Sequence, residues 1–146
     1  MVSFCRVRIV LDTDVIVAAI RSPAGASAAI LDQIANGVGQ LVLTASLALE
    51  YEAICHLPEH RLASGLSENE VGIFVNTIIG LAEPVEIHFL WRPSLRDPGD
   101  EMVLEVAVNG RANVIVTFNR RDYGDTPSRF GIEVLLPRDA LKRMRT

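Results

Sequence analysis

The feature that most constrains the fold is a set of short apolar runs separated by stretches of helical spacing. Val7–Leu11, Leu41–Leu43, Val114–Thr117 and Ile132–Leu136 are rich in Val, Ile and Leu. They lack the in-out alternation of half-solvated strands, which marks strands buried on both faces, as in a parallel sheet. Between them lie expected helices. Val15–Ile20 is stopped by Ser22-Pro23, and Ser27–Ala35 by Asn36-Gly37. Thr44 or Ser46 caps a helix running to about His56, which Pro58 terminates. Ser67-Glu68-Asn69-Glu70 is a capping-box pattern opening a helix to about Leu81. Asp100–Val108 is closed by Asn109-Gly110, and Pro137 starts a terminal helix. Val85–Phe89 reads as one more strand. Strands alternating with helices imply crossover connections and a sheet covered on both faces. Ligands of such sheets sit at the carboxyl ends of the strands, so the polar residues just after each strand matter most.

A chain of 146 residues holds one core, so residues 1–146 are expected to form a single domain. Hydrophobic residues make up 49%, which excludes disorder. No apolar run reaches the ~18–20 residues that span a bilayer. The N-terminal residues lack a signal-peptide layout, so a cytoplasmic location and no membrane association are expected. Cys5 and Cys55 have no metal or redox spacing and are expected to be reduced and buried. The net charge of −4 argues against simple clamping of phosphates. It does not exclude a nuclease in which acidic groups hold cations and the cations meet the phosphate.

Five acidic positions and one asparagine stand out. Asp12 directly follows the run Ile9-Val10-Leu11, where a carboxylate in low dielectric needs a partner or a metal; capping the next helix explains it equally well. Asp14, two residues on, is also placed to cap. Glu50 lies beside the stripe Leu47, Tyr51 and Ile54, whereas Glu52 falls near the opposite face; a glutamate snorkelling at the stripe edge is the alternative. Asp100 heads the stripe Val103, Leu104 and Ala107, with Glu101 and Glu105 on a solvated side. In Asp97-Pro98-Gly99-Asp100, Asp97 reads as the N-cap and Asp100 suits the helix dipole. Asn119 and Asp122 follow the third run, where ordinary turn chemistry also explains them. Several like charges converging on one site need a cation, and hard divalent ions take oxygen ligands.

The ordered segments Ile9–Ala19, Leu49-Glu50-Tyr51-Glu52, Asp97–Asp100 with Val103, Leu104 and Ala107, Val114–Asn119 with Asp122-Tyr123, and Pro137–Leu141 resemble the PIN-domain family, in particular the toxins of bacterial toxin–antitoxin modules. The resemblance implies a three-layer α/β/α fold around a mostly parallel twisted sheet of about five strands. It also implies an Mg²⁺- or Mn²⁺-dependent endoribonuclease. Asp12, Glu50 and Asp100 take the family's acidic positions as metal ligands. Asn119 stands at a fourth position that is often Asp, with Asp122 one turn on as a substitute ligand, and Asp14 stands where Asn is common. Thr13 and Thr117 would orient carboxylates or waters. An RNA substrate, a cognate antitoxin protein and a homodimer are the implied partners.

Two rivals are compatible with the residues. Leu11-Asp12-Thr13-Asp14-Val15 fits the haloacid-dehalogenase pattern, with Asp12 as phosphorylated nucleophile and Asp14 as acid/base. That chemistry needs a mid-chain base, and the single lysine, Lys142, is near the C-terminus. The other rival is a PIN-like binding module with weak or no catalysis. His56 and His60 are separated by Pro58 and share no helix face, which argues against zinc.

Overall fold

The computed structural model describes residues 7–88 and 98–145. The strands are β1 (Arg8–Leu11), β2 (Gln40–Leu43), β3 (Glu83–Pro84), β4 (Val114–Val116) and β5 (Glu133–Leu135). The helices are α1 (Thr13–Arg21), α2 (Ala26–Ala35), α3 (Ala45–Cys55), α4 (Pro58–Ser64), α5 (Glu68–Leu81), α6 (Pro98–Asn109) and α7 (Pro137–Met144). The sheet order is β3-β2-β1-β4-β5, and every pair is parallel. Ile9 pairs with Leu41 on one side and Val114 on the other, and Val116 links Leu11 to Leu135. Helices cover the sheet in an α/β/α arrangement, with α6 against β1, β2 and β4, and α2 between α1 and α7.

The three central strands are almost wholly buried, whereas β3 is exposed and β5 only partly covered. This gradient explains why the central strands read as pure apolar runs. From β1 the chain steps outward through β2 to β3, then returns to the far side of β1 as β4 and β5. The direction therefore reverses between β1 and β4, and a crevice at the carboxyl ends of these two strands is the expected binding place.

Local signals account for most boundaries. Thr44 caps α3 by accepting from the Leu47 amide at 3.2 Å. Ser67 and Glu70 form a complete reciprocal capping box on α5. Gly37, at φ +85°, supplies the left-handed turn after α2. At the end of α6 the left-handed residue is Arg111, φ +52°, rather than Gly110. Gly110 is needed for close approach: a Cβ there would lie 2.8 Å from the Val106 carbonyl oxygen.

Some expectations are corrected. The strand anticipated over Val85–Phe89 is shifted to Glu83–Pro84, where it meets Val42 and Leu43. After Val85 donates to the Leu43 carbonyl, β2 has already turned into α3 and offers no further partner. Phe89 itself lies outside the described residues. Pro58 does not merely end α3; it begins α4 at the first helical turn, where its fixed φ is favourable. Two short 3₁₀ turns, Arg120–Tyr123 and Pro127–Phe130, connect β4 to β5. Glu101 and Glu105 are half-buried rather than solvated. Cys55 is buried and unpaired, its thiol pushed up to about 11 by burial, and Cys5 lies outside the described residues. Among the described residues no single helix is long and apolar enough to cross a membrane.

Candidate active site

Asp12 sits at the start of α1 with extended backbone, in the position of a capping residue, yet its side chain makes no cap hydrogen bond. Its amide donates to the Val116 carbonyl at 2.9 Å, which fixes it in the crevice between β1 and β4. The carboxylate is 9% exposed. Its Oδ2 accepts from the Thr117 hydroxyl at 2.8 Å and from the Tyr123 hydroxyl at 3.0 Å. Capping therefore does not explain this residue. Two hydroxyl donors aimed at one oxygen set the carboxyl plane. Tyr123 is fully buried, and its own hydroxyl is held well above the usual phenol range by burial, then by the charges of Asp12 and Asp100.

Asp14 also turns toward β4. Its Oδ2 accepts from the Phe118 amide at 3.1 Å, the Asn119 side-chain amide at 3.2 Å and the Thr117 hydroxyl at 3.4 Å. Its Oδ1 is buried without a hydrogen-bond partner among the described residues. Burial, and then the charge of Asp12, push the Asp14 carboxyl up from 3.8 to about 6, against the hydrogen bonds that lower it. The sign for stability follows from linkage. The folded protein holds this proton more tightly than the unfolded chain does. Ionising Asp14 therefore costs stability as pH rises above 3.8, with the whole cost present above about 6. Metal-free Asp14→Asn is expected to melt a few °C above the parent at pH 7.5, from a gain on the order of 1 kcal/mol after allowing for partial solvation. The gap closes as the pH falls toward 4. Melting curves in EDTA across this range check it, and a variant less stable than the parent at pH 7.5 would show that the buried charge is not a burden.

Glu50 is half-buried on α3, and Glu52, two residues on, is exposed. The Thr13 hydroxyl donates to Glu50 Oε2. The packed stripe of α3 is Leu47, Tyr51 and Cys55, with Ile54 half-buried beside it. Tyr51 is completely buried, and its hydroxyl donates to the carbonyl of Leu11, the residue before Asp12. That bond pins α3 to the end of β1 and holds Glu50 near Asp12. Burial, followed by the charges of Asp12 and Glu50, raises the Tyr51 hydroxyl well above its ordinary value. Asp100 lies half-buried in the first turn of α6, close enough to Tyr123 to act on its ionisation. Asp97 lies outside the described residues.

Asn119 and Asp122 lie on the turn after β4, at the start of the first 3₁₀ segment. Asn119 is exposed; its backbone amide donates to Thr117 Oγ1 at 3.0 Å and its side chain binds Asp14. The Asp122 side chain is exposed. The carboxylate standing beside Asn119 is thus Asp14. Tyr123 and Tyr51 were not singled out as site residues from sequence, and Asp14 only as a cap or as the acid/base of the phosphatase rival. A buried tyrosine must place its hydroxyl on a partner, which is the signal that the polar turn after β4 carried.

The donor set suits a hard divalent cation: carboxylates and hydroxyls, with one buried carboxylate oxygen unpartnered. The expected convergence is looser than anticipated. Among the described residues no three His, Cys, Asp or Glu side chains stand as a ready-made metal cluster. Mg²⁺ is commonly held by only one or two carboxylates, with water and substrate phosphate completing its shell. The residues therefore fit such an ion without enclosing it.

A family model described as a PIN domain matches residues 8–121. No curated protein matches the chain.

Proposed function

The chain belongs to the PIN-domain family, a family of nucleases, and on that premise we propose that it is an Mg²⁺- or Mn²⁺-dependent endoribonuclease. The observation that carries this reading is Asp12, a buried carboxylate that caps nothing and is oriented by Thr117 and Tyr123 at the sheet's reversal point. Asp12, Glu50 and Asp100 would hold the cation, with Asp14 in the place assigned from sequence to Asn119 or Asp122. When bound, such a cation supplies Lewis acidity toward the phosphoryl group and makes water a competent nucleophile near neutral pH.

The chain's own residues do the positioning. Thr117 and Tyr123 both donate to Asp12 and fix the rotation of its carboxyl group. Thr13 holds Glu50, and Tyr51 ties the helix bearing Glu50 to the strand bearing Asp12. Phe118 is half exposed and its amide donates to Asp14, which puts an aromatic residue suited to stacking with an unpaired base beside the site. The toxin role, a cognate antitoxin and a homodimer are proposed on the ordered motif resemblance alone.

The phosphatase alternative finds no support in the geometry. Asp14 is engaged as an acceptor by the segment after β4, and Lys142 makes no hydrogen bond or ion pair to Asp12 or Asp14 among the described residues. A non-catalytic binding module is favoured by one observation, the lack of a ready-made three-residue metal cluster among the described residues. The purified protein separates the two. With Mn²⁺ or Mg²⁺ it is expected to cut labelled RNA, and with EDTA it is not. Intact RNA under both conditions, across a range of sequences, would favour the binding module.

A further inference from the structure

The chain is acidic overall, but its cations are unevenly placed. Residues 120–145 contain seven of the fourteen basic residues and only four of the eighteen acidic ones. Arg138 and Lys142 on α7 and Arg145 at its C-terminal cap follow the i, i+4, i+7 pattern and share one face. All three are exposed, while Ala140, Leu141 and Met144 bury the opposite side. Two open grooves run along this face, with volumes of about 460 and 670 Å³. Arg120, Lys142 and Arg143 line the first; Arg138, Lys142 and Arg145 line the second; Asp139 is in both.

The charge on this face is largely uncompensated. Arg143 is bound by Glu133 in a two-point pair. Arg120, Arg138, Lys142 and Arg145 make no ion pair among the described residues. Arg120 immediately follows Asn119, whose side chain binds Asp14, so the cationic strip begins where the carboxylate site ends. The strip starts at the carboxyl edge of the sheet, since α7 begins just after β5, and runs along α7 toward the amino edge, where Met144 stands beside Gly39 at the start of β2. Along α7 the strip extends on the order of 10 Å.

From this placement we propose that the α7 stripe Arg138, Lys142 and Arg145, with Arg120 at its near end, is the track for the sugar-phosphate backbone of single-stranded RNA on one side of the scissile bond. The choice of RNA rests on the nuclease reading above; the polyanion-binding face rests on the stripe itself. On a chain of net negative charge, the stripe is where a polyanion is drawn in, and it fixes which side of the cut is held. Asp12 and its neighbours act on the phosphate, and the stripe holds the strand without taking part in the chemistry.

Fluorescence anisotropy of a labelled single-stranded RNA, measured in EDTA over a range of salt, tests this without relying on cleavage. The triple variant Arg138→Gln, Lys142→Gln, Arg145→Gln alters exposed positions only, and circular dichroism verifies its fold. The control triple Arg21→Gln, Arg61→Gln, Arg129→Gln makes the same change in net charge elsewhere. The parent and the control are expected to bind alike. The stripe variant is expected to bind at least tenfold more weakly at low salt, with the slope of log K against log salt reduced by about two (~0.7 per phosphate contact on a single strand). No RNA binding by the parent, unchanged binding by the stripe variant, or an equal loss in the control would each overturn the assignment. Binding that depends on the stripe in a protein that cuts no RNA would uphold it and remove only the catalytic reading.

Discussion

Asp12→Asn is expected to reduce RNA cleavage on the order of 10³-fold or more while leaving the fold intact. The substitution is nearly isosteric. The amide oxygen can take the place of Oδ2 and accept from Thr117 and Tyr123, so the two hydroxyls stay satisfied. What is lost is the charge. Repulsion with Asp14 is relieved at the same time, so the melting temperature should stay level or rise. Mn²⁺ binding, followed by calorimetry, should weaken in parallel with cleavage. A variant retaining more than a tenth of the parent rate with normal Mn²⁺ affinity would remove Asp12 from the centre of the site.

The largest stability effect is expected at Tyr51. Tyr51→Ala removes a fully buried ring and leaves the Leu11 carbonyl without its donor. Large-to-small changes of this kind cost about 3–5 kcal/mol, or roughly 10 °C or more in a domain of this size. Tyr51→Phe keeps the ring and loses only the hydroxyl, for about 1–3 kcal/mol. Urea denaturation of the parent and both variants separates the two contributions. If Phe proves as stable as Tyr, the link between α3 and the end of β1 is not held by that bond, and Glu50 must be positioned by packing and by Thr13.

The strands were legible because they are buried on both faces, which leaves a run such as Val114–Val116 no polar position. The helix starts were legible where capping is written locally, as in Ser67 and Glu70. Asp12, Glu50 and Asp100 could be suspected from strand ends and helix stripes. Asp14 was placed beside Asp12 only in the phosphatase reading, because in the first turn of a helix an acid already has a local explanation. What turns it inward is the Phe118 amide and the Asn119 side chain, over a hundred residues away in sequence. Tyr123 was hidden for a related reason: it sits in a 3₁₀ turn with no periodicity to show which side chain is covered. The α4 helix was missed because a proline that ends one helix can equally open the next.

The outermost strands have a bearing on how this molecule can associate. β3 is only two residues long and contains Pro84, which has no amide hydrogen to offer. Its Glu83 is clamped by Arg8, and Glu133 on β5 by Arg143. Short, charged, proline-bearing margins resist the docking of an added strand. Peptide recognition by strand addition, and growth of the sheet from one copy into the next, are both disfavoured. Whatever other chain this protein meets is therefore directed to its helical faces, where side chains rather than backbone decide the match.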